Sequence, residues 1–443
     1  MIGRTVAGVF AALIAFWIAI GTGPDARPED DRPTTSVAVT EAVLPIACPG
    51  SLTIPVGNIG GGDGVIGSGS DDIRESLFRL NADEPVATGD GWTITGVLAT
   101  EIERVGDGDI AGLSAVPCLA PRTDTWLVGG STAIGSSARL VLTNPTDVAS
   151  DVKVTLYGPA GQVDQGLGIA VGPHSQSSYL LEGVTTGLAT LVVHVEATAA
   201  GVTAVIQDSR LDGFLAAGTD WVVPNDAAGT ELAIPGVGPS APDGLSGAST
   251  VRLFAPDGAT VSLRIAGILG SVPWPAGESI TLQPGVVVDV NLPATDVATV
   301  LIEASAPIYA AGFTAVGRAP DEALQGTAVR DGAWVNAQAH RKDRSYSVVV
   351  PHYAVSAVAY SQESATFRAL GPDGSELLSA TIPAGQTREF PLSVPSGTLV
   401  TVEGSIAWSV RVRDLPGFIA TVQPEDIGAV DTSIVVEPGS YVP

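Results

Sequence analysis

The sequence predicts an all-β chain: tandem immunoglobulin-like or fibronectin-like β-sandwich modules behind one N-terminal transmembrane helix. Three observations carry this. Gly 53 and Pro 32 among 443 residues suit many short strands joined by tight turns. Apolar alternation at period two runs between those turns. The same strand-turn-strand pattern recurs at intervals of about 100 residues, the size of one sandwich module.

The order of segments begins with residues 1–24. Thr5 to Thr22 carries no charge; Arg4 precedes it and Asp25, Glu29, Asp30 and Asp31 follow. Positive before and acidic after leaves the amino end in the cytoplasm and the bulk of the chain outside it. About 18 apolar residues is near the lower limit for a spanning helix. No small-x-small cleavage site follows Ile20, so a retained signal-anchor is expected over a cleaved, secreted form. Residues 25–35 are an acidic, Pro-containing linker, and residues 36–120 a β-rich region. Within that region Ile73, Leu77 and Leu80 fall at helical spacing, which predicts a short helix over Asp71 to Leu80.

Cys48 and Cys118 are the only cysteines. Outside the cytoplasm a pair favours a disulfide, and two cysteines without a CxxC do not make a zinc site.

Three repeats follow, expected over 121–218, 219–335 and 336–433, with a tail at 434–443. The repeated strands are Ala138-Arg-Leu-Val-Leu-Thr-Asn-Pro145 with Val152-Lys-Val-Thr-Leu-Tyr-Gly-Pro-Ala-Gly161, Ser249-Thr-Val-Arg-Leu-Phe-Ala-Pro-Asp-Gly258, and Ala365-Thr-Phe-Arg-Ala-Leu-Gly-Pro-Asp-Gly374. Pro235, Pro256 and Asp257 recur as Pro351, Pro372 and Asp373 at +116; Pro284 and Ala298 recur as Pro383 and Gly397 at +99. The difference places an insertion near Gly267 to Gln283 of the second unit. Units left by duplication are expected to fold separately.

These residues resemble the actinobacterial domain of unknown function 5719. The likeness rests on the Cys48-Pro49 start, the Cys118…Trp126-Leu-Val-Gly-Gly130 segment and the Leu142-Thr-Asn-Pro145…Leu156-Tyr-Gly-Pro-Ala-Gly161 strand pair. It covers roughly Val37 to Val430. It implies a membrane-anchored protein of the cell envelope and supplies no catalytic residues.

The chemistry that composition excludes is broad. A net charge of −26, with Lys153 and Lys342 the only lysines, repels phosphate backbones, so no nucleic-acid partner is expected. The four histidines, His174, His194, His340 and His352, show no metal-ligand spacing, and no HExxH or GxSxG occurs. No cofactor, metal or catalytic residue is therefore assigned. Gly67, Gly69, Asp71 and Ile73 match a single turn of a calcium-binding repeat, too few to stack, so Gly60 to Asp72 is expected as a loop. Trp126 and Trp221 sit in strand-like runs and are expected to pack in cores. Trp274, between Pro273 and Pro275 in the insertion, is the tryptophan expected to be exposed and to touch a ligand. The functional expectation is a non-enzymatic scaffold or binding protein, its partner the membrane through the N-terminal helix and either envelope glycan or another envelope protein. The alternative is a glycan-binding module or a polysaccharide-acting accessory. An exposed aromatic strip beside paired carboxylates would favour that alternative.

Overall fold

The structure, a computed structural model, describes residues 35–38, 45–54, 74–79, 85–94, 98–106, 108–213, 215–238, 246–318, 329–339, 345–414, 417–426 and 433–436. The apolar run Thr5 to Thr22 and the segment Gly60 to Asp72, expected as a loop, lie outside them. Among the described residues no helix is long and apolar enough to cross a membrane.

Alternation builds the strands. In Ser150–Gly158, Val152, Val154 and Leu156 point inward while Asp151 and Lys153 face water. The N-terminal part contains β1 (Thr35–Ala38), β2 (Ile46–Cys48), β3 (Arg74–Arg79), β4 (Val86–Thr88), β5 (Gly91–Ile94), β6 (Ala99–Val105) and β7 (Gly112–Pro117). Arg74–Arg79 corrects the expected helix: the segment pairs antiparallel with β6 along its whole length, and a sheet partner overrides a three-residue helical spacing.

The first sandwich comprises β8 (Asp124–Val128), β9 (Ser136–Asn144), β10 (Ser150–Gly158), β11 (Gly161–Gln162), β12 (Leu167–Val171), β13 (Ser175–Leu180), β14 (Val192–Ala197), β15 (Thr203–Asp212) and β16 (Leu215–Val222). One sheet runs β12–β10–β14–β8 and the other β13–β9–β15–β16. The second comprises β17 (Gly229–Val237), β18 (Ser246–Phe254), β19 (Ala259–Gly267), β20 (Gly270–Val272), β21 (Ile280–Leu282), β22 (Val287–Asn291), β23 (Ala298–Arg318), β24 (Val329–Asn336) and β25 (Gln338–Ala339). Its sheets run β21–β19–β23–β17–β25 and β22–β18–β23–β24, because the long β23 changes sheets midway. The third comprises β26 (Ser345–Val349), β27 (Ala354–Ser361), β28 (Ala365–Leu370), β29 (Glu376–Ile382), β30 (Gln386–Pro391), β31 (Leu399–Glu403), β32 (Ala407–Asp414), β33 (Phe418–Val422) and β34 (Glu425–Asp426), in sheets β29–β28–β31–β26–β34 and β30–β27–β32–β33. The strand order is the same three times, as duplication requires. The sequence boundaries at 218/219 and 335/336 fall inside β16 and β24, so the first and second sandwiches end later than expected.

One detail of the repeat is corrected. Pro256-Asp257-Gly258 closes the β18–β19 turn, whereas Pro372-Asp373-Gly374 closes β28–β29, one hairpin later in the module. The same turn chemistry fits any tight hairpin, so equal spacing matched non-equivalent turns. Pro284 and Pro383 do occupy equivalent turns, before β22 and β30. The three sandwiches lie together in one compact unit, Val43–Gly428. A second unit takes in both ends of the chain, and there β1 pairs antiparallel with β35 (Ser433–Val436), Val37 opposite Ile434.

Within the large unit each sandwich lays an outer sheet face on its neighbour. Phe254, Val287, Ala311 and Phe313 of the second join the apolar cluster of the first. Thr387 and Ser409 of the third donate to the carbonyls of Ala266 and Pro235 in the second, at 2.6 and 2.9 Å. The β3–β6–β7 sheet fills the space between the first and third. Its Val105 and Val116 pack with Val141, Val205 and Trp221, and its Ile102, Leu113 and Ala115 with the core of the third sandwich.

Cys48 and Cys118 form a disulfide that ties β2 to the end of β7 inside a small cluster with Ile46, Ile94 and Ala99. Buried Glu101 and Glu103 hold the chain beyond it, accepting from the Gly50 and Leu52 amides at 3.0 and 2.7 Å. The bond closes a 70-residue separation, and such a crosslink stabilises by about 4 kcal/mol through the unfolded chain. Cys118→Ser should lower the unfolding free energy by that order, read as a lower denaturant midpoint. An unchanged midpoint would show the sheet to be held by packing alone.

Candidate functional site

Four strands meet at the middle of the large unit: β16 runs beside β24, β24 beside β33, β33 beside β7, and β7 beside β16. They come from all three sandwiches and the N-terminal sheet. Asp331 of β24 lies at this junction, fully buried. Its carboxylate accepts the amides of Leu113 (3.0 Å, β7), Ile419 (2.9 Å, β33) and Gly332 (2.8 Å, β24), and also that of Thr219 in β16. Gly112 and Gly218 make the approach possible: a Cβ on Gly112 would stand 2.7 Å from the Thr219 nitrogen, and Gly218 has φ +105 with a Cβ 2.6 Å from the Gly332 nitrogen.

Two more buried carboxylates adjoin it. Asp208 and Asp220 are directly opposite on β15 and β16. Asp220 accepts the Trp334 amide at 2.7 Å, and Asp208 the Trp334 indole N–H at 2.8 Å and Arg210 at 2.9 Å. Burial raises the pKa of Asp220 well above the usual carboxylate range, with Asp331 and Asp208 adding to it. Burial raises Asp331 as well, against the pull of its four amide donors. These carboxylates have protein partners and no opening to solvent, so they lock strands together. Among the described residues no three His, Cys, Asp or Glu side chains are placed to hold a metal ion.

A further latch joins the third sandwich to the first. Glu425, its side chain 15% exposed, faces Arg122 Nη2 at 3.5 Å, and Asp226 approaches the same nitrogen at 4.0 Å. Burial lifts Glu425 to about 7 although Arg122 opposes it. Between its ordinary 4.5 and about 7, folded Glu425 therefore holds a proton that the unfolded chain has lost. Its contribution to stability is complete below pH 4.5 and disappears as pH rises through about 7. Asp220 acts in the same direction. The thermal midpoint should be higher at pH 5 than at pH 8, by a free energy on the order of 2–3 kcal/mol from Glu425. Glu425→Gln should flatten that dependence; an equally steep profile in the variant would assign it elsewhere.

Seams run where one sandwich packs on the next. The first seam is filled by rings. Trp126 stacks on His194 at 3.8 Å and on Tyr309 at 5.0 Å, and packs against Phe254 and Tyr157 at 5.3 and 5.7 Å. His194 is fixed by Asp124 at 2.9 Å. Arg252, buried, spans the same seam: it pairs with Asp289 and donates to the carbonyl of Leu191 at 3.2 Å. Trp126 thus packs between modules rather than inside one.

The second seam has the same frame and smaller side chains. The Gly158–Gly161 hairpin closure of β10 corresponds to Gly267–Gly270 of β19, and Leu127-Val-Gly129 to Ile234-Pro-Gly236. On that register Trp126, Tyr157, His194 and Tyr309 become Ala233, Ala266, Leu301 and Ala407, and Phe254 becomes Tyr360. A cavity of about 300 Å³ opens where the rings were, lined by Ala233, Leu301, Tyr360, Glu231, Arg264 and Glu303. Buried Arg411 braces its neighbourhood through the carbonyls of Gly236 and Gly238, and burial pulls its pKa down to about 10.

Trp274 does not reach either seam. It is 7% exposed and packs in the core of the second sandwich, correcting the expectation of an exposed ligand contact. A 3₁₀ turn at Pro275–Gly277 folds the ring back over Leu263: a Cβ on Gly277 would lie 3.0 Å from the indole. Trp221, Trp334 and Trp408 are buried too. His174 sits in its turn at φ 46 beside Asp147, and His352 stacks on Tyr353; His340 lies outside the described residues. Asp331, Asp220, Glu425 and the second seam were not anticipated from the sequence.

No curated protein and no solved structure matches this chain. A family of unknown function, DUF5719, matches residues 81–393, more than two thirds of its length, and the chain belongs to that family.

Proposed function

We propose that the protein is a non-enzymatic scaffold of the cell envelope, anchored through its N-terminal segment with the bulk of the chain outside the cytoplasm. The observation that carries the scaffold role is Asp331, one carboxylate that gathers amides from three sandwiches and the N-terminal sheet. A chain of independent binding modules has no use for such a lock; a body that must hold its shape does. The uncharged run Thr5 to Thr22, the acidic surface and the Cys48–Cys118 disulfide support the location. The glycan-binding alternative draws little support from the tryptophans. Trp126 has His194 and Tyr309 stacked on it, and Trp221, Trp274, Trp334 and Trp408 are buried.

Small-angle scattering of the ectodomain tests the shape: a body of this size has a radius of gyration of about 21 Å. A markedly larger radius would mean beads on a string. Cell fractionation tests the location. Full-length protein in the membrane fraction is expected, and recovery from the cytosol would end the envelope assignment.

A further inference from the structure

The second seam keeps the frame of the first and loses its filling, and what lines it is chemically specific. Glu231 and Glu303 are directly opposite on β17 and β23, on the face turned to the third sandwich. Like charges so placed repel across the strands. Arg264 pairs with Glu303, and Glu231 has no ionic partner among the described residues. Tyr360 lines the same cavity, close to Arg264. It is only 4% exposed, and its hydroxyl makes no hydrogen bond to the described residues. Burial raises its pKa, so at neutral pH it is a hydroxyl able to donate and accept. Gln362 adds an amide at the rim, and Ala233 and Leu301 give an apolar floor.

We propose that this seam binds a small organic cation, an amine carried on a hydroxylated body about the size of one sugar ring. Glu231 takes the ammonium, Tyr360 and Gln362 take hydroxyls, and the floor of Ala233 and Leu301 takes the apolar face of the ring. About 300 Å³ is at the small end for ligand pockets, which excludes longer chains from lying wholly inside. The free carboxylate selects for positive charge, and the lone buried hydroxyl selects for a polar body over an alkyl one. The site stands apart from the scaffold role: failure of either leaves the other intact.

The test uses the folded ectodomain and isothermal titration with glucosamine, glucose and lysinamide, each at up to about 10 mM, a range that detects millimolar affinity. Glucosamine should bind, and glucose at least about tenfold more weakly for want of the charge. Glu231→Gln should cost glucosamine about tenfold, and Tyr360→Phe several-fold. Ala233→Trp, which puts back the ring present in the first seam, should abolish binding while the protein remains folded by circular dichroism. Glucosamine failing to bind the folded wild-type protein would overturn the proposal. So would equal affinity for glucose, an unchanged affinity in Glu231→Gln, or lysinamide binding as tightly as glucosamine, since the last would make the hydroxylated body irrelevant.

Discussion

Asp331→Ala is expected to destabilise the large unit by about 4 kcal/mol or more. Four buried amides, of Leu113, Thr219, Gly332 and Ile419, would lose their acceptor at once. Each orphaned donor costs about 1–3 kcal/mol when water cannot reach it. The flanking glycines leave no side chain to move in as a substitute, since Gly112, Gly218 and Gly332 have none. Asp331→Asn is the sharper test. It preserves volume and one acceptor oxygen but aims an N–H₂ group at the remaining amide donors, so it should cost a large part of the alanine loss. Urea unfolding followed by circular dichroism gives the number. A loss below about 1 kcal/mol in both variants would mean that the four strands are held by packing and that the carboxylate is incidental.

How much of this was legible follows from the range of each interaction. Strands announce themselves locally: Val152, Val154 and Leu156 alternate with Asp151, Lys153 and Thr155, and no partner is needed to read the period. The disulfide was legible because only two cysteines exist. Repetition was legible at Pro284 and Pro383, whose turns are equivalent, and misleading at Pro256 and Pro372, whose turns are not. The junction was not legible. Asp331 and Leu113 are 218 residues apart, and nothing near Val329-Arg-Asp-Gly332 distinguishes a buried acceptor from an exposed turn aspartate. The local pattern also predicts the wrong side for Trp274, because flanking prolines signal a loop without saying that the loop folds back. The cavity of the second seam was legible only after the fold aligned Ala233 with Trp126, since the two segments share few residues beyond Leu/Ile and Gly.

The third sandwich cut out alone, residues 341–433, is expected not to fold cooperatively, although its length and core resemble those of a self-sufficient module. Most of its interior, with Phe367, Trp408, Val410 and Val412 fully buried, comes from the segment itself. Its outer face is not self-contained. Arg411 is 3% exposed only because Gly236 and Gly238 of the second sandwich supply acceptors, and the Trp408 backbone is bonded on both its N–H and C=O by the side chain of Gln338. Ile419 would lose Asp331 as its acceptor, and Ile102, Leu113 and Ala115 would no longer cover the core of the third sandwich. Modules of about 100 residues are only marginally stable even when intact, so stripping these contacts should exceed the margin. Excision also bares β33 as an unpaired edge beside newly exposed apolar surface, which favours aggregation. A fragment extended to begin at 229 should recover part of the stability, because it restores Gln338, Pro235, Gly236 and Asp331 but not the N-terminal sheet. Differential scanning calorimetry of the two fragments distinguishes the cases. A sharp, reversible transition for residues 341–433 near that of the full chain would show the modules to be autonomous, with the locks between them contributing little.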